Sequence, residues 1–358
     1  MLPPTYVEGF HDLEAVKAMR YSSLGSTGLL VSHLSLGGGA LGGFYGEFEE
    51  AEAIEAIREA LRKGVNYIDT APWYGDGKSE AILGKALAGV PRKAYYIATK
   101  VGRYKPITQK MFDFSSKKTL ASVEESLKLL GLPYVDIIQV HDLEFAPSLQ
   151  VVLSDTLPAL ASVVKQGKAH HIGITGYPIC TLKELLEMNA KLQSPTKIEM
   201  VLCYTRATFF DCTLQEYLPF FQSKNIGVVN AALTGMGILT NAGPPDWHPA
   251  GDEIKEVCRK AAEHCKMAGV ELGRLAVYYA LNEVQGPATH LVGLNNKEIL
   301  MSNLSLAIGS KAGEGSKPFT PAEEKALTEV RKKFFEGLQS HHWEGIEISR
   351  YWKAMNNL

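Results

Sequence analysis

Eight short runs rich in β-branched and aromatic residues recur across residues 34–306, and each is followed by a segment of helical period. They are LSLGGG from Leu34, VNYIDT from Val65, YYIATK from Tyr95, VDIIQV from Val135, HHIGIT from His170, EMVLCY from Glu199, GVVNAA from Gly227 and HLVG from His290. Most are apolar without a break, the pattern of strands covered on both faces in a parallel sheet. Between them, residues 49–63 put Ala53, Ile54, Ile57, Ala60 and Leu61 on one stripe, and residues 115–130 repeat Leu120, Val123, Leu127 and Leu130. Further helical segments begin near Ser79, Asp155, Thr181, Thr213, Asp252 and Asn296. Eight strand–helix units are the count of an α/β chain folded as a (β/α)8 TIM barrel, and 358 residues suffice for one with long loops. A doubly wound dinucleotide-binding sheet is the rival, but it usually has six strands. GGGALGG at residues 37–43 resembles that fold's glycine fingerprint at a glance. A lone match of this kind is weak, and it reads as a tight first βα loop.

Two pieces lie outside the repeat. YSSLGSTGLLV at residues 21–31 carries a Gly-Ser-Thr-Gly turn between β-prone flanks, an N-terminal β-hairpin across the barrel floor. After Leu306 a Gly/Lys/Ser linker leads to a helix over residues 321–338, then to the aromatic-rich HHWEGIEISRYW, a C-terminal helical extension packed on the barrel. The expectation is one domain over residues 1–358, with its core in about 21–310 and a tail in 318–358.

Composition narrows function mainly by exclusion. A net charge of −2 leaves no electrostatic footprint for nucleic acid or an anionic membrane. Residues 1–20 lack the apolar core of a signal peptide, and no run approaches the ~18 apolar residues of a membrane helix. Five cysteines with no CxxC pair fit reduced thiols, so the expected location is cytoplasmic. Neither histidine pair, His170–His171 or His341–His342, has metal-site spacing with carboxylates or cysteines, and no metal is expected.

In such a barrel, active sites form at the C-terminal ends of the strands. The second run ends in Asp69, with Tyr74 five residues on; the third ends in Lys100 and the fourth in His141. Any one of these has an ordinary structural explanation as a cap, a core hydroxyl or a satisfied imidazole. Four proton-handling groups on one rim point to proton-coupled chemistry.

In order, strand position and spacing, Asp69, Tyr74, Lys100 and His141 resemble the catalytic tetrad of the aldo-keto reductases, and the likeness extends over nearly the whole chain. VNYIDTAPWYG at Val65, IGITGYPI at Ile172 and GPPDWHPA at Gly243 are most similar to the L-galactose dehydrogenase and aldose dehydrogenase branch. The resemblance implies an oxidoreductase that moves a hydride between a nicotinamide cofactor and an aldose, aldehyde or ketone. Tyr74 would be the acid/base, its pKa lowered by Lys100, which Asp69 holds charged; His141 would orient the substrate oxygen.

The same resemblance assigns the cofactor to Gly39, Ala40, Asp69, Thr175, Gly176, Tyr204, Leu233, Gly235, Gly237, Leu239, Gly293, Asn295 and Asn303. Thr175 and Gly176 stand where the family usually has Ser-Asn, and Tyr204 where an aromatic ring stacks on nicotinamide. Members preferring NADP have a Lys after the eighth strand and an Arg six residues later; here these are Gly293 and Ile299, so NAD is favoured. Lys297 keeps NADP open. Tyr45, Trp73, Tyr104, His141, Leu143 and Trp247 are expected around a small carbonyl or sugar substrate. The expected assembly is a monomer or weak homodimer. The alternatives are an NADPH-dependent carbonyl reductase of broad specificity and a non-catalytic nicotinamide-binding regulatory barrel.

Overall fold

The computed structural model describes residues 2–357. Strands β1 (Tyr21–Ser23) and β2 (Leu30–Ser32) form the antiparallel hairpin below the barrel. The barrel comprises β3 (Leu34–Gly37), β4 (Tyr67–Asp69), β5 (Tyr96–Val101), β6 (Val135–Val140), β7 (Ala169–Gly176), β8 (Met200–Tyr204), β9 (Gly227–Ala231) and β10 (Thr289–Gly293). All eight are parallel and pair in chain order, and β10 closes the ring on β3 with Val292 beside Leu36. Closure leaves no sheet edge to protect.

Two cores follow from the strand alternation. Tyr67, Ala98, Ile137, Met200, Leu202, Val229 and Leu291 fill the barrel, and Leu24 from the hairpin plugs it from below. The approach is close: a Cβ on Gly25 would overlap the Gly227 backbone. The second, larger core lies between strands and helices. In the helix Glu50–Arg62 the buried stripe is Ala53, Ala56, Ile57, Ala60 and Leu61, with Ile54 at its margin. In Ser116–Leu130, capped by Ser115, the expected Leu120 is exposed while Thr119, Ser122 and Ser126 are buried. Small side chains win there because the helix runs close to its neighbour Lys78–Leu87, where a Cβ on Gly84 would overlap the Leu129 carbonyl.

Several elements depart from the pattern read in the sequence. A wide π turn, Val152–Thr156, precedes the helix Leu157–Lys165. The loop after β9 carries two helices, Asp252–Met267 and Leu272–Asn282, of which only the first was foreseen. The helix from Pro321 opens on a Thr320/Glu323 capping box but ends at Val330 in a second π turn, short of residue 338. The tail then docks through Trp343, stacked on Tyr177 at 4.8 Å, and ends in the helix Ile346–Asn356. Among the described residues, no helix is long and apolar enough to cross a membrane, and no cluster of His, Cys, Asp and Glu could hold a metal ion.

Candidate active site

Asp69 ends β4, Lys100 lies one residue before the end of β5, and His141 directly follows β6. Adjacent parallel strands therefore bring the three side chains to one rim. Tyr74 is delivered by the tight turn after β4, where its amide donates to the Ala71 carbonyl at 3.1 Å. That turn packs on the first loop, and a Cβ on Gly42 would stand 2.8 Å from the Tyr74 carbonyl carbon. Only glycine fits.

The Lys100 ammonium uses all three of its donors. They go to the Asp69 carboxylate, to the Thr70 carbonyl at 2.9 Å and to the Tyr74 hydroxyl at 3.3 Å. Gln139 donates to the other Asp69 oxygen at 2.6 Å, so the carboxylate is fixed at both ends. Burial alone would discharge Lys100, but Asp69 and the Tyr74 hydroxyl hold its pKa above the usual lysine value. Tyr74 does not follow the expected direction. Burial raises its pKa more than Lys100 lowers it, and Asp69, which offsets much of that cation's field, raises it further. The resting hydroxyl is protonated at neutral pH. His141 meets the Tyr74 ring edge-on at 5.8 Å and is held neutral by burial, with Lys100 and Arg103 adding to the effect.

These groups open into a cavity of about 1690 Å³ that extends as far as Asn303. Of the expected residues, Gly39, Ala40, Tyr45, Asp69, Trp73, Tyr74, Lys100, His141, Thr175, Tyr204, Leu233, Gly237, Trp247, Gly293, Asn295 and Asn303 line it. Tyr104, Leu143, Gly176, Gly235 and Leu239 do not. The Tyr104 hydroxyl turns back to accept from the Gly102 amide at 2.9 Å, and Leu143 and Leu239 are sealed in the core. Gly176 faces Glu144, whose carboxyl a Cβ there would strike, and the Gly235 carbonyl accepts from His248 at 2.9 Å. The structure adds Phe44, Arg103, Asp142, Met236, Glu271, Arg274 and Glu347 to the lining. Asp142 carries a readable signal, being polar and next to His141. Glu347 carries none, since it arrives from the C-terminal helix.

The cavity is far larger than a small carbonyl compound needs. After β9, Ala232, Gly235, Met236 and Gly237 all have left-handed backbone, and the amides of Gly235, Gly237, Ile238 and Leu239 close tight turns on the Ala232, Thr234 and Gly235 carbonyls. Across from it the helix Lys297–Ile308 starts at the cavity, capped by Asn296. Tyr204 presents its ring beside Thr175, backed by Tyr177 and then Trp343. At the far end Arg274 is already committed to Glu323 at 2.6 Å, to the Ser302 carbonyl at 2.9 Å and to Ser305 at 3.2 Å. Above the cavity, Trp247 donates to the Phe44 carbonyl at 3.2 Å and meets the Tyr45 ring, so the long loop after β9 bridges to the first loop.

The model of the aldo/keto reductase family matches residues 33–308. The chain is 39% identical over 312 residues to L-galactose dehydrogenase of Arabidopsis thaliana, covering 87% of this chain and 94% of that one. It is 31% identical over 278 residues to D-arabinose 1-dehydrogenase of Saccharomyces cerevisiae, covering 75% and 81%. A solved aldo-keto reductase from Bacillus halodurans, in its holo form, superposes with a TM-score of 0.66 at 24% identity, over 87% of this chain and 96% of that one.

Proposed function

The chain belongs to the aldo/keto reductase family, and from that premise we propose that it oxidises an aldose at its anomeric carbon, with Tyr74 as the acid/base and NAD as the favoured cofactor. Its class of chemistry is oxidoreduction. The observation that carries the reading is the Tyr74 hydroxyl bonded to the buried Lys100 ammonium in the cavity wall, with neutral His141 beside it.

A bound nicotinamide supplies the hydride acceptor in oxidation and the hydride donor in reduction. The protein's own residues handle the proton. In oxidation the substrate hydroxyl gives its proton to the Tyr74 phenolate oxygen while its C–H bond releases hydride, leaving a carbonyl. In reduction Tyr74 O–H returns the proton to the oxygen of the former carbonyl. Lys100 stabilises the phenolate whenever it forms, Asp69 and Thr70 keep Lys100 aimed at it, and His141 holds the reacting oxygen. Thr175 and Tyr204 suit the nicotinamide, and the small residues Ala232 and Gly237 after β9 leave room for a diphosphate to approach the backbone.

The preference for NAD rests on charge at the far end of the cavity. Gly293 and Ile299 offer no cation, Arg274 is spent on Glu323, and Glu271, Glu298 and Glu314 add carboxylates that would repel a 2′-phosphate. Lys297 and Lys317 remain as the cations for NADP.

The test is turnover of L-galactose, D-arabinose and further aldoses with each cofactor. The expected result is aldose oxidation with kcat/KM at least about tenfold higher for NAD. Tyr74→Phe should lower kcat by about 10²–10⁴-fold with cofactor affinity, read by fluorescence quenching, nearly unchanged. Full activity of Tyr74→Phe removes Tyr74 from its role. Cofactor binding with no turnover of any carbonyl or sugar would favour a regulatory barrel.

A further inference from the structure

Asp142 directly follows His141 and has a φ of +49°, left-handed backbone that few residues other than glycine adopt, aspartate being one of them. Its side chain is 2% exposed and lies in the cavity wall. One carboxylate oxygen accepts from Arg103 Nη1 at 2.6 Å and stands 3.7 Å from His141 Nε2. The other oxygen, Oδ1, has no partner at all. Arg103 is similarly half used: it packs 4.2 Å above the Trp73 ring, and its Nε is also without a partner.

Buried polar atoms are normally paired, and leaving one unpaired is costly. Here one acceptor and one donor are unpaired on two residues already bonded to each other, beside the imidazole that would hold the reacting oxygen. A hydroxyl both donates and accepts, so a second hydroxyl of the substrate matches this pair. An anionic substituent matches it poorly, because Glu347, from the helix Ile346–Asn356, brings a second carboxylate to the same wall against the one guanidinium.

We infer that Asp142, positioned by Arg103, binds the hydroxyl on the carbon next to the reacting one, so that the site selects uncharged polyhydroxy substrates over simple aldehydes. The inference rests on the aldose reading above and names the residue that enforces it. Neither the tetrad nor the cofactor trough supplies this discrimination, since both act on the reacting carbon or on the far end of the cavity.

The experiment compares kcat/KM for an aldose with that for its 2-deoxy counterpart, in the wild type, Asp142→Asn and Asp142→Gly. Asparagine and glycine both tolerate the left-handed backbone. Taking the ratio within each variant cancels any general loss of activity. The wild type is expected to favour the 2-hydroxy sugar by about 10- to 100-fold, the usual worth of a hydrogen bond to a charged group. Asp142→Gly should bring the ratio to within about threefold of unity, and Asp142→Asn, which keeps a neutral acceptor, should fall between. A wild-type ratio near one overturns the inference whatever the variants do, as does a high ratio that survives in Asp142→Gly. Either outcome with aldose turnover intact leaves the proposed function standing. Reduction of 4-nitrobenzaldehyde without turnover of any aldose would overturn the function first, and this inference with it.

Discussion

Replacing Trp343 with alanine would separate the stability of the barrel from that of its C-terminal tail. The indole is 1% exposed, stacked on Tyr177 at 4.8 Å and 14°, and met edge-on by His248 at 4.8 Å. A side chain of this size buries about 150–250 Å². At about 25 cal/mol per Å², its removal costs about 4–6 kcal/mol. The other attachments of the tail are smaller: His341 to the Phe210 carbonyl at 2.6 Å, Arg206 to a Glu344 carboxylate that is 30% exposed, and Tyr351 against Phe112 and Phe145. They cannot hold the tail against that loss, so the cost should appear as local opening rather than as unfolding of the barrel. About 4 kcal/mol is about three decades in the closed-to-open ratio, and trypsin cleavage at Arg350 and Lys353 should accelerate by a hundredfold or more. Because the tail delivers Glu347 to the cavity and backs Tyr177 behind Tyr204, KM for the aldose should rise while the global Tm falls only a few degrees. Unchanged cleavage together with an unchanged KM would refute the reasoning.

Since burial raises the Tyr74 pKa and His141 stays neutral, the oxidation rate should climb with pH from neutrality into the alkaline range, with no limb near pH 6.5 from His141; a profile falling above pH 8 contradicts this. Buried histidines set the acid behaviour, His141 among them: His248 is lowered by burial to about 4, and His290 by burial, with His33 and Arg20 adding to it, to about 3. The unfolded chain takes up these protons first, so the stabilisation is complete above pH 6.5 and is lost progressively as pH falls toward 4, by about 3 kcal/mol per histidine. Urea midpoints that stay flat from pH 7 to 4.5 would exclude this. Gly293→Lys with Ile299→Arg should raise kcat/KM for NADP by about 10- to 100-fold and lower the NAD preference accordingly, read from initial rates; no gain means that the phosphate would lie elsewhere.

The barrel was legible because its eight strands are buried on both faces and so read as unbroken apolar runs, each ending close to where the structure ends it. The helix Leu272–Asn282 was not, because its β-prone Val277, Tyr278 and Tyr279 follow a long loop and a helix that already filled the seventh position in the pattern. Two substrate-side expectations missed by a single residue. Tyr104 was expected and Arg103 lines the cavity; Leu143 was expected and Asp142 lines it. In each case a left-handed residue, Gly102 at φ +107° or Asp142 itself at +49°, interrupts the extended backbone at the strand end. Glu347 lies more than two hundred residues from the tetrad in sequence and reaches the cavity only because Trp343 anchors the tail. No local pattern encodes such a contact.

The proton-handling side chains all come from residues 69–141, within the first half of the barrel, whereas the wall at the far end of the cavity is built after residue 230. On the proposed function, chemistry and cofactor choice are inherited on separate stretches of the chain that meet across the mouth of the barrel. A lineage can exchange one dinucleotide for another by altering the segments after β9 and β10 while the proton path is untouched. On the same proposal it can refine which sugar it accepts through Arg103, Asp142 and the tail. The barrel divides heritable risk: drift in the segments after β9 and β10 leaves the cluster of Asp69, Tyr74, Lys100 and His141 unaltered.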